Sequence, residues 1–370
     1  MNNKNVSNGP VDVSKLEKWL SQHFADQGQL SLISVNVPAN GYSAATILIE
    51  ADITRNNETQ RRDLVLRLEK QGQHVFLDTD IARQGRMMIE LRRRGLPAPN
   101  VLAIETDATV LGGKFLLMDR IDGVSLPQNP SYQVAGLLTQ LDAEQRSQVW
   151  GEAISTIAII NRLNWQQGFE FLDKQQFGEP GLDQYLRWLS AWRDEVMEGQ
   201  PNPIIDAALT ILQRDKPDNR HVDVLWGDSN PGNYLFTTNG HVAAVLDFEA
   251  SALGPAEIDL GWWFFVDGML SFGVERLPGL PERDEVIARF ETELGRKISE
   301  LAYYELLAAL RMALVIARTS SLLIKSGHLP NTNKTPCNNP ATQLLAMKLN
   351  LSGGESGEDY LAFCAAMKHD

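Results

Sequence analysis

In Trp226-Gly227-Asp228-Ser229-Asn230-Pro231-Gly232-Asn233 a carboxylate and a carboxamide stand five positions apart on a loop shaped by proline and glycine. A second carboxylate, Asp247, closes the apolar run Val242–Leu246, fourteen residues after Asn233, and is followed by Phe248 and Glu249. β-like apolar runs enter and leave the loop, which places Asp228, Asn233 and Asp247 at neighbouring strand ends. Oxygen ligands so arranged can hold Mg2+ on a polyphosphate while Asp228 accepts a proton from a substrate hydroxyl, the division of labour that phosphoryl transfer needs. Asp, Asn, Pro and Gly are also what turns are made of. What raises this set above a turn is its order: G-D-x-x-P-x-N, then V-L-D-F-E, then G-P-x-x-x-D-L ending at Asp259 and Leu260.

The elements that must carry these residues fall into two textures. After a polar N-terminal tail, Val13, Leu16, Trp19, Leu20 and Phe24 repeat at helical spacing. Between 31 and 123, short β-rich runs (SLISVNV, ATILIEADI, DLVLRLE, VLAIETD, GGKFLLMDRIDG) surround one helical segment, IARQGRMMIELRRRG, which Gly95, Pro97 and Pro99 terminate. The expected order is β-β-β-α-β-β. From 124 onward the 3.6-residue period dominates, interrupted only by the β-like runs that flank Asp228–Asn233 and by loop-rich stretches over 328–358. The expectation is therefore an α+β chain: a tail and helix over 1–30, a β-rich lobe over 31–123, and a larger, mainly helical lobe over 124–370.

Two features of the first lobe suit an anion. Gly41-Tyr42-Ser43-Ala44-Ala45-Thr46 falls between two strand-like runs, where small residues let backbone N–H groups approach phosphates; a tight hairpin turn has the same composition. Arg67 stands mid-strand among alternating apolar residues, and an inward cation there calls for an anionic partner.

Composition limits the partners. The 370 residues carry 34 Lys and Arg against 47 Asp and Glu, a formal charge of −13 that argues against nucleic acid or an anionic membrane as partner. Residues 1–123 hold 15 basic and 15 acidic residues and the remainder 19 and 32, so the deficit belongs wholly to the helical lobe, which would favour a cationic or neutral acceptor. Two cysteines, Cys337 and Cys364, support neither a disulfide framework nor a zinc site. The N-terminus lacks an apolar leader, and Asp259, Asp267, Arg311 and Arg318 interrupt the most apolar stretches, so a cytoplasmic location is expected. Motifs of P-loop NTPases, zincins, thiol oxidoreductases and α/β-hydrolases do not occur.

Over roughly residues 30–325, and most specifically over Leu225–Leu260, the chain resembles the aminoglycoside phosphotransferase and choline kinase family, whose folds are related to protein kinases. The Leu-Arg pair at 66–67 is closest to the branch of phosphotransferase domains attached to acyl-CoA dehydrogenases. The resemblance implies a kinase-like two-lobe fold, ATP (or GTP) and Mg2+ as cofactors, and a small-molecule hydroxyl acceptor. It makes Asp228 the catalytic base, Asn233 and Asp247 the Mg2+ ligands, and Asp259 a brace for the catalytic loop. Nucleotide contacts would come from Gly41, Ser43, Thr46 and Arg67, and from the main chain around Asp119–Ile121. Four positions depart from the family pattern: Trp226, Asn230 and Asn161 replace histidines, and Gln84 replaces the helix acid that pairs with the strand cation. Glu90 lies six residues from Gln84, about 120° away around a helix, and does not take that acid's place. Trp165, Trp188, Trp192, Trp262 and Trp263 are read either as acceptor-pocket walls or as core.

The expected activity is transfer of the γ-phosphoryl of ATP to an acceptor hydroxyl. Two rivals remain at this stage: a nucleotide-binding regulator or pseudokinase without turnover, and a metal-dependent phosphatase built on paired carboxylates.

Overall fold

The computed structural model describes residues 5–6, 11–38, 44–70, 72–354 and 357–367. Strand β1 (Asn5–Val6) pairs in parallel with β2 (Gln29–Asn36) where only a polar tail was expected. From β2 the sheet continues through β3 (Ala44–Arg55) and β4 (Glu58–Glu69) to β6 (Phe115–Asp119), with β5 (Val101–Glu105) at the far edge, all antiparallel. Alternation along β3 buries Ala45, Ile47, Ile49, Ala51 and Ile53 on one face. That face meets Leu16 and Leu20 of α1 (Val13–His23) and Phe24 just after it, and Asp12 caps the N-terminus of α1 by accepting the Ser14 and Lys15 N–H groups. Helix α2 (Ile81–Arg93) covers the opposite side, and its Met87, Met88 and Leu91 join the core of the helical lobe.

That lobe is built from α3 (Leu137–Gln140), α4 (Ala143–Asn161), α5 (Leu182–Val196), α6 (Pro203–Arg214), α7 (Glu257–Leu270), α8 (Arg283–Leu294), α9 (Leu301–Lys325), α10 (Pro340–Lys348) and α11 (Gly357–Ala366). Two antiparallel pairs interrupt it, β8 (Tyr234–Phe236) with β9 (Val242–Val245) and, enclosing them in the chain, β7 (Asp223–Leu225) with β10 (Ala252–Gly254). These are the runs that flank the polar loop. Helix α9 is long and apolar enough by composition to cross a membrane, the charges at Arg311 and Arg318 notwithstanding, but 67% of its most apolar window is buried inside the protein. It is the central core helix, and α7 lies against it so closely that a Cβ on Gly261 would come within 2.8 Å of the Tyr304 backbone.

Chain order makes two lobes, and one segment between them departs from a simple linker. The stretch His74–Asp78, between β4 and α2, crosses onto the helical lobe. Trp192 donates to the Val75 carbonyl (2.9 Å), Arg318 to the His74 carbonyl (2.8 Å) and Trp188 to Asp78 Oδ1 (2.9 Å). Phe76 packs on Trp192, ring centroids 5.0 Å apart, and Asp78 is paired with Arg83 and with the buried Lys174. Trp188 and Trp192 are thus core residues that fasten this strap, while Trp263 is buried in the core beside Trp150. The C-terminal helix α11 has no counterpart in the sequence reading. Its anchors are Asn333, donating to the Asp359 carbonyl at 3.0 Å, and Phe363, buried against the core.

Candidate active site

The loop Gly227–Asn233 is folded by its own side chains. Asn230 Oδ1 accepts the Gly232 N–H (2.9 Å), closing the short helical turn Pro231–Asn233. Gly227 adopts φ +88°, and a Cβ there would lie 2.1 Å from the Ala250 carbonyl oxygen, so only glycine fits. Beneath the loop, Asp259 at the start of α7 is fully buried and accepts the N–H groups of Trp226 (2.8 Å) and Gly227 (2.9 Å) together with Asn161 Nδ2 (2.7 Å). Burial pushes its carboxyl upward, and those three donors and the Arg311 charge oppose the push. Asp259 therefore braces the loop, and Asn161, which also donates to the Val224 carbonyl at 2.9 Å, links the brace to β7.

The position expected for histidine, Trp226, is buried, and its indole donates to the Leu246 and Asp247 carbonyls at 2.9 and 3.1 Å. It ties the loop carrying Asp228 to the turn carrying Asp247. Asp247 itself sits at φ +58°, a left-handed conformation sparsely populated outside glycine and costing on the order of 1–3 kcal/mol unless the surroundings hold it.

Asp228 is half-buried and gripped by three side-chain donors: Trp262 Nε1 (2.7 Å) and Asn230 Nδ2 (2.8 Å) on Oδ1, and Asn233 Nδ2 (2.7 Å) on Oδ2. Its carboxyl is pushed above the ordinary aspartate range, first by burial and then by the negative charge of Asp247, with the three donors pulling the other way. Asp228, Asn233, Asp247 and Glu249 line one cavity of about 430 Å3 that extends between α7, α9, α11 and the strap. Trp262 lines it too; Trp165, Trp188, Trp192 and Trp263 do not. Asp247 Oδ1 is buried and has no hydrogen-bond partner among the described residues. A buried carboxylate oxygen in that state, beside a carboxamide and a second carboxylate, fits a divalent cation that completes its shell with phosphate and water. Among the described residues there is no cluster of three or more acidic, His or Cys side chains able to hold a metal unaided.

In the β-rich lobe, Thr46 and Arg67 are cross-strand partners on β3 and β4, and Arg67 Nε is buried without a hydrogen-bond partner among the described residues. An inward guanidinium in that state fits an anion. Gly41 and Ser43 lie outside the described residues. Gln84 is buried in α2, and Glu90 is engaged by Arg93 and Arg94 on the far side, so Glu90 takes no part at Arg67. Asp119 ends β6, where Asn100 donates to its carboxylate at 2.8 Å, and Ile121 follows in the crossing between lobes. Glu257 is paired with Arg296 and is structural. The residues that sequence reasoning missed are Phe76, Tyr360 and Phe363 of the cavity wall; Tyr360, Phe363 and Met367 stand at i, i+3 and i+7, the helical signal that could have found them.

The profile of the phosphotransferase enzyme family matches residues 35–298. Acyl-CoA dehydrogenase family member 11 of Rattus norvegicus is 23% identical over 291 residues, which cover 75% of this chain and 35% of the relative; the chain thus spans about a third of that relative's length. Among solved structures, one from Ralstonia eutropha assigned to the aminoglycoside phosphotransferases superposes with a TM-score of 0.63 at 21% identity, covering 97% of this chain and 99% of the other. A thermostable aminoglycoside phosphotransferase APH(4)-Ia, solved as a ternary complex with AMP-PNP and hygromycin B, gives a TM-score of 0.52 at 17% identity over 90% of this chain and 98% of the other. At these identities the superpositions establish the shared kinase-like, α+β two-lobe fold.

Proposed function

The chain belongs to the phosphotransferase enzyme family, and on that premise we propose that it transfers the γ-phosphoryl group of ATP to a hydroxyl of a small-molecule acceptor with Mg2+. The observation that carries the reading is the state of Asp228: a carboxylate immobilised by three donors in the wall of a cavity that Asn233 and Asp247 also line, with one Asp247 oxygen left unsatisfied among the described residues.

In this mechanism Asp228 orients the acceptor hydroxyl and takes its proton as the oxygen–phosphorus bond forms and the bond to the β-phosphate oxygen breaks, releasing ADP. Asn233 and Asp247 would hold Mg2+, which supplies neutralisation of phosphate charge. Arg67 would engage the phosphates through its planar fork, with Thr46 its cross-strand partner, and Gly41 and Ser43 are the further phosphate contacts that the family resemblance implies. The main chain at Asp119–Ile121 would take the adenine. Catalysis on this account is positioning and charge compensation, with no covalent work for the protein.

Tying roles for Trp226 and Asn161 favour turnover over the regulator reading: Trp226 joins the loop of Asp228 to the turn of Asp247, and Asn161 supports the Asp259 brace beneath that loop. The test is Mg2+-dependent ADP release across a panel of hydroxylated metabolites, with Asp228→Asn as the blank. Acceptor-dependent release by the native protein and none by the variant supports the reading. Nucleotide binding with no acceptor in the panel would transfer the support to the regulator, and phosphate release from phosphomonoesters without nucleotide to the phosphatase.

A further inference from the structure

The cavity that ends at Asp228 changes character along its length. Its carboxylates, Asp228, Asp247 and Glu249, stand together; most of the remaining wall is apolar, with Val75 and Phe76 from the strap, Met312, Val315 and Ile316 from α9, and Phe363 from α11, broken by Gln128, Thr319 and Tyr360, and no Lys or Arg among the described residues lines it. Much of this apolar wall lies on α9 and α11, beyond residue 298, where the match to the family profile ends. Its volume, about 430 Å3, is that of a small-molecule site.

Resting on the reading of Asp228 as the transfer site, we propose that the acceptor is an alcohol with an uncharged, apolar body, and that Phe363 on α11, facing α9 across the cavity, sets the length of body the site admits. A polycationic acceptor would find carboxylates only at the reacting end and would have to strip the water from its remaining charges against Met, Val, Ile and Phe. An apolar chain gains from the same wall, and each further methylene that finds room is worth about 0.8 kcal/mol, roughly fourfold in affinity. Phe363 is 5% exposed and lies 5.6 Å, ring to ring, from Tyr360, so its ring is fixed rather than swinging freely into solvent. It is a specificity-determining residue that acts on the acceptor body and not on the reacting oxygen.

The test uses straight-chain primary alcohols from butanol to decanol as probes, with choline and kanamycin as charged comparators. Binding is read by saturation-transfer NMR without nucleotide, and turnover by ADP release with Mg2+ and ATP. In the native protein affinity rises with chain length and then stops. Phe363→Ala extends the rise by two or more carbons, and Val315→Trp, on the firmly packed α9, cuts it short even if the first variant loosens α11. Affinity for the longest alcohols moves about tenfold, on KM rather than kcat. An unchanged length profile in both variants overturns the proposal, as does a native protein that takes choline or kanamycin and no alkanol. A length profile that shifts by NMR while no acceptor yields ADP supports the pocket assignment and overturns the transfer reading instead, so the two can fail separately.

Discussion

Trp262 donates its indole N–H to Oδ1 of Asp228 at 2.7 Å, and the Arg311 guanidinium lies 4.3 Å from the centre of the same indole on its way to the Gly227 carbonyl, which it reaches at 2.6 Å. The candidate base is thus held from α7 by a side chain that α9 in turn clamps. Trp262→Phe keeps the ring under Arg311 and removes only the donor. A hydrogen bond to a charged group is worth about 1.5–3 kcal/mol, so kcat/KM should fall roughly ten- to a hundredfold with nucleotide affinity unchanged. Steady-state kinetics beside ATP titration measure both; an unaltered kcat/KM would show that Asn230 and Asn233 suffice.

Asp228→Asn should abolish transfer, a loss of at least about a hundred- to ten-thousandfold for a general base, and should alter how stability depends on pH. Burial and the Asp247 charge raise the folded-state pKa of Asp228 above the ordinary 3.8. A carboxyl raised in this way contributes stability fully below its unfolded value, and the contribution is lost as pH rises through the folded value. In metal-free buffer the melting temperature of the native protein relative to Asp228→Asn should therefore decline from pH 4 toward neutrality. A difference independent of pH would contradict the burial of this carboxylate.

Removal of the metal should act through Asp247. Chelation with EDTA should abolish ADP release, and Asp247→Asn, which retains a side chain tolerant of the left-handed backbone, should abolish the Mg2+-dependent part of ATP binding. Calorimetric titration of ATP with and without Mg2+ separates that part from the metal-free remainder. Equal Mg2+ enhancement in both proteins would remove Asp247 from the ligand set.

The strap offers a stability prediction away from the chemistry. Burial pushes the Asp78 carboxyl up, but the Lys174 and Arg83 charges and hydrogen bonds more than offset it and hold the group below 3.8. A depressed carboxyl stabilises above its unfolded value and loses that contribution as pH falls through the folded one. Asp78→Ala, which strands the buried Lys174, should cost about 2–4 kcal/mol near neutral pH and progressively less below pH 4. Urea denaturation at pH 7 and pH 3.5 reads the difference.

The polar loop, the strands around it and the order β-β-β-α-β-β were legible because each rests on local chemistry: turn formers at Pro231 and Gly232, period-two burial in β3, a proline stop after α2. What stayed hidden depends on contacts across long sequence separations. Trp188 and Trp192 have the spacing of any core stripe, and nothing near them announces that they hold Val75 and Asp78, more than a hundred residues earlier. Trp226 likewise looks like a lost histidine until its N–H is seen on the Leu246 and Asp247 carbonyls. Helix α11 was concealed differently: the Asn-, Gly- and Ser-rich chain before it reads as loop, and its apolar face of Tyr360 and Phe363 acquires a purpose only from the cavity it covers.

The strap also fixes how the two lobes can move. Besides the covalent crossing near Ile121, the β-rich lobe is fastened at the turn after α2, where the Pro97 carbonyl accepts the Val245 N–H at 2.8 Å, and again along His74–Asp78. A body joined at one point swivels about any axis, at two points only about the line between them, and at three points off a line not at all. The hydrogen bonds at Pro97 and along His74–Asp78 therefore oppose a hinge motion of the lobes about Ile121 alone.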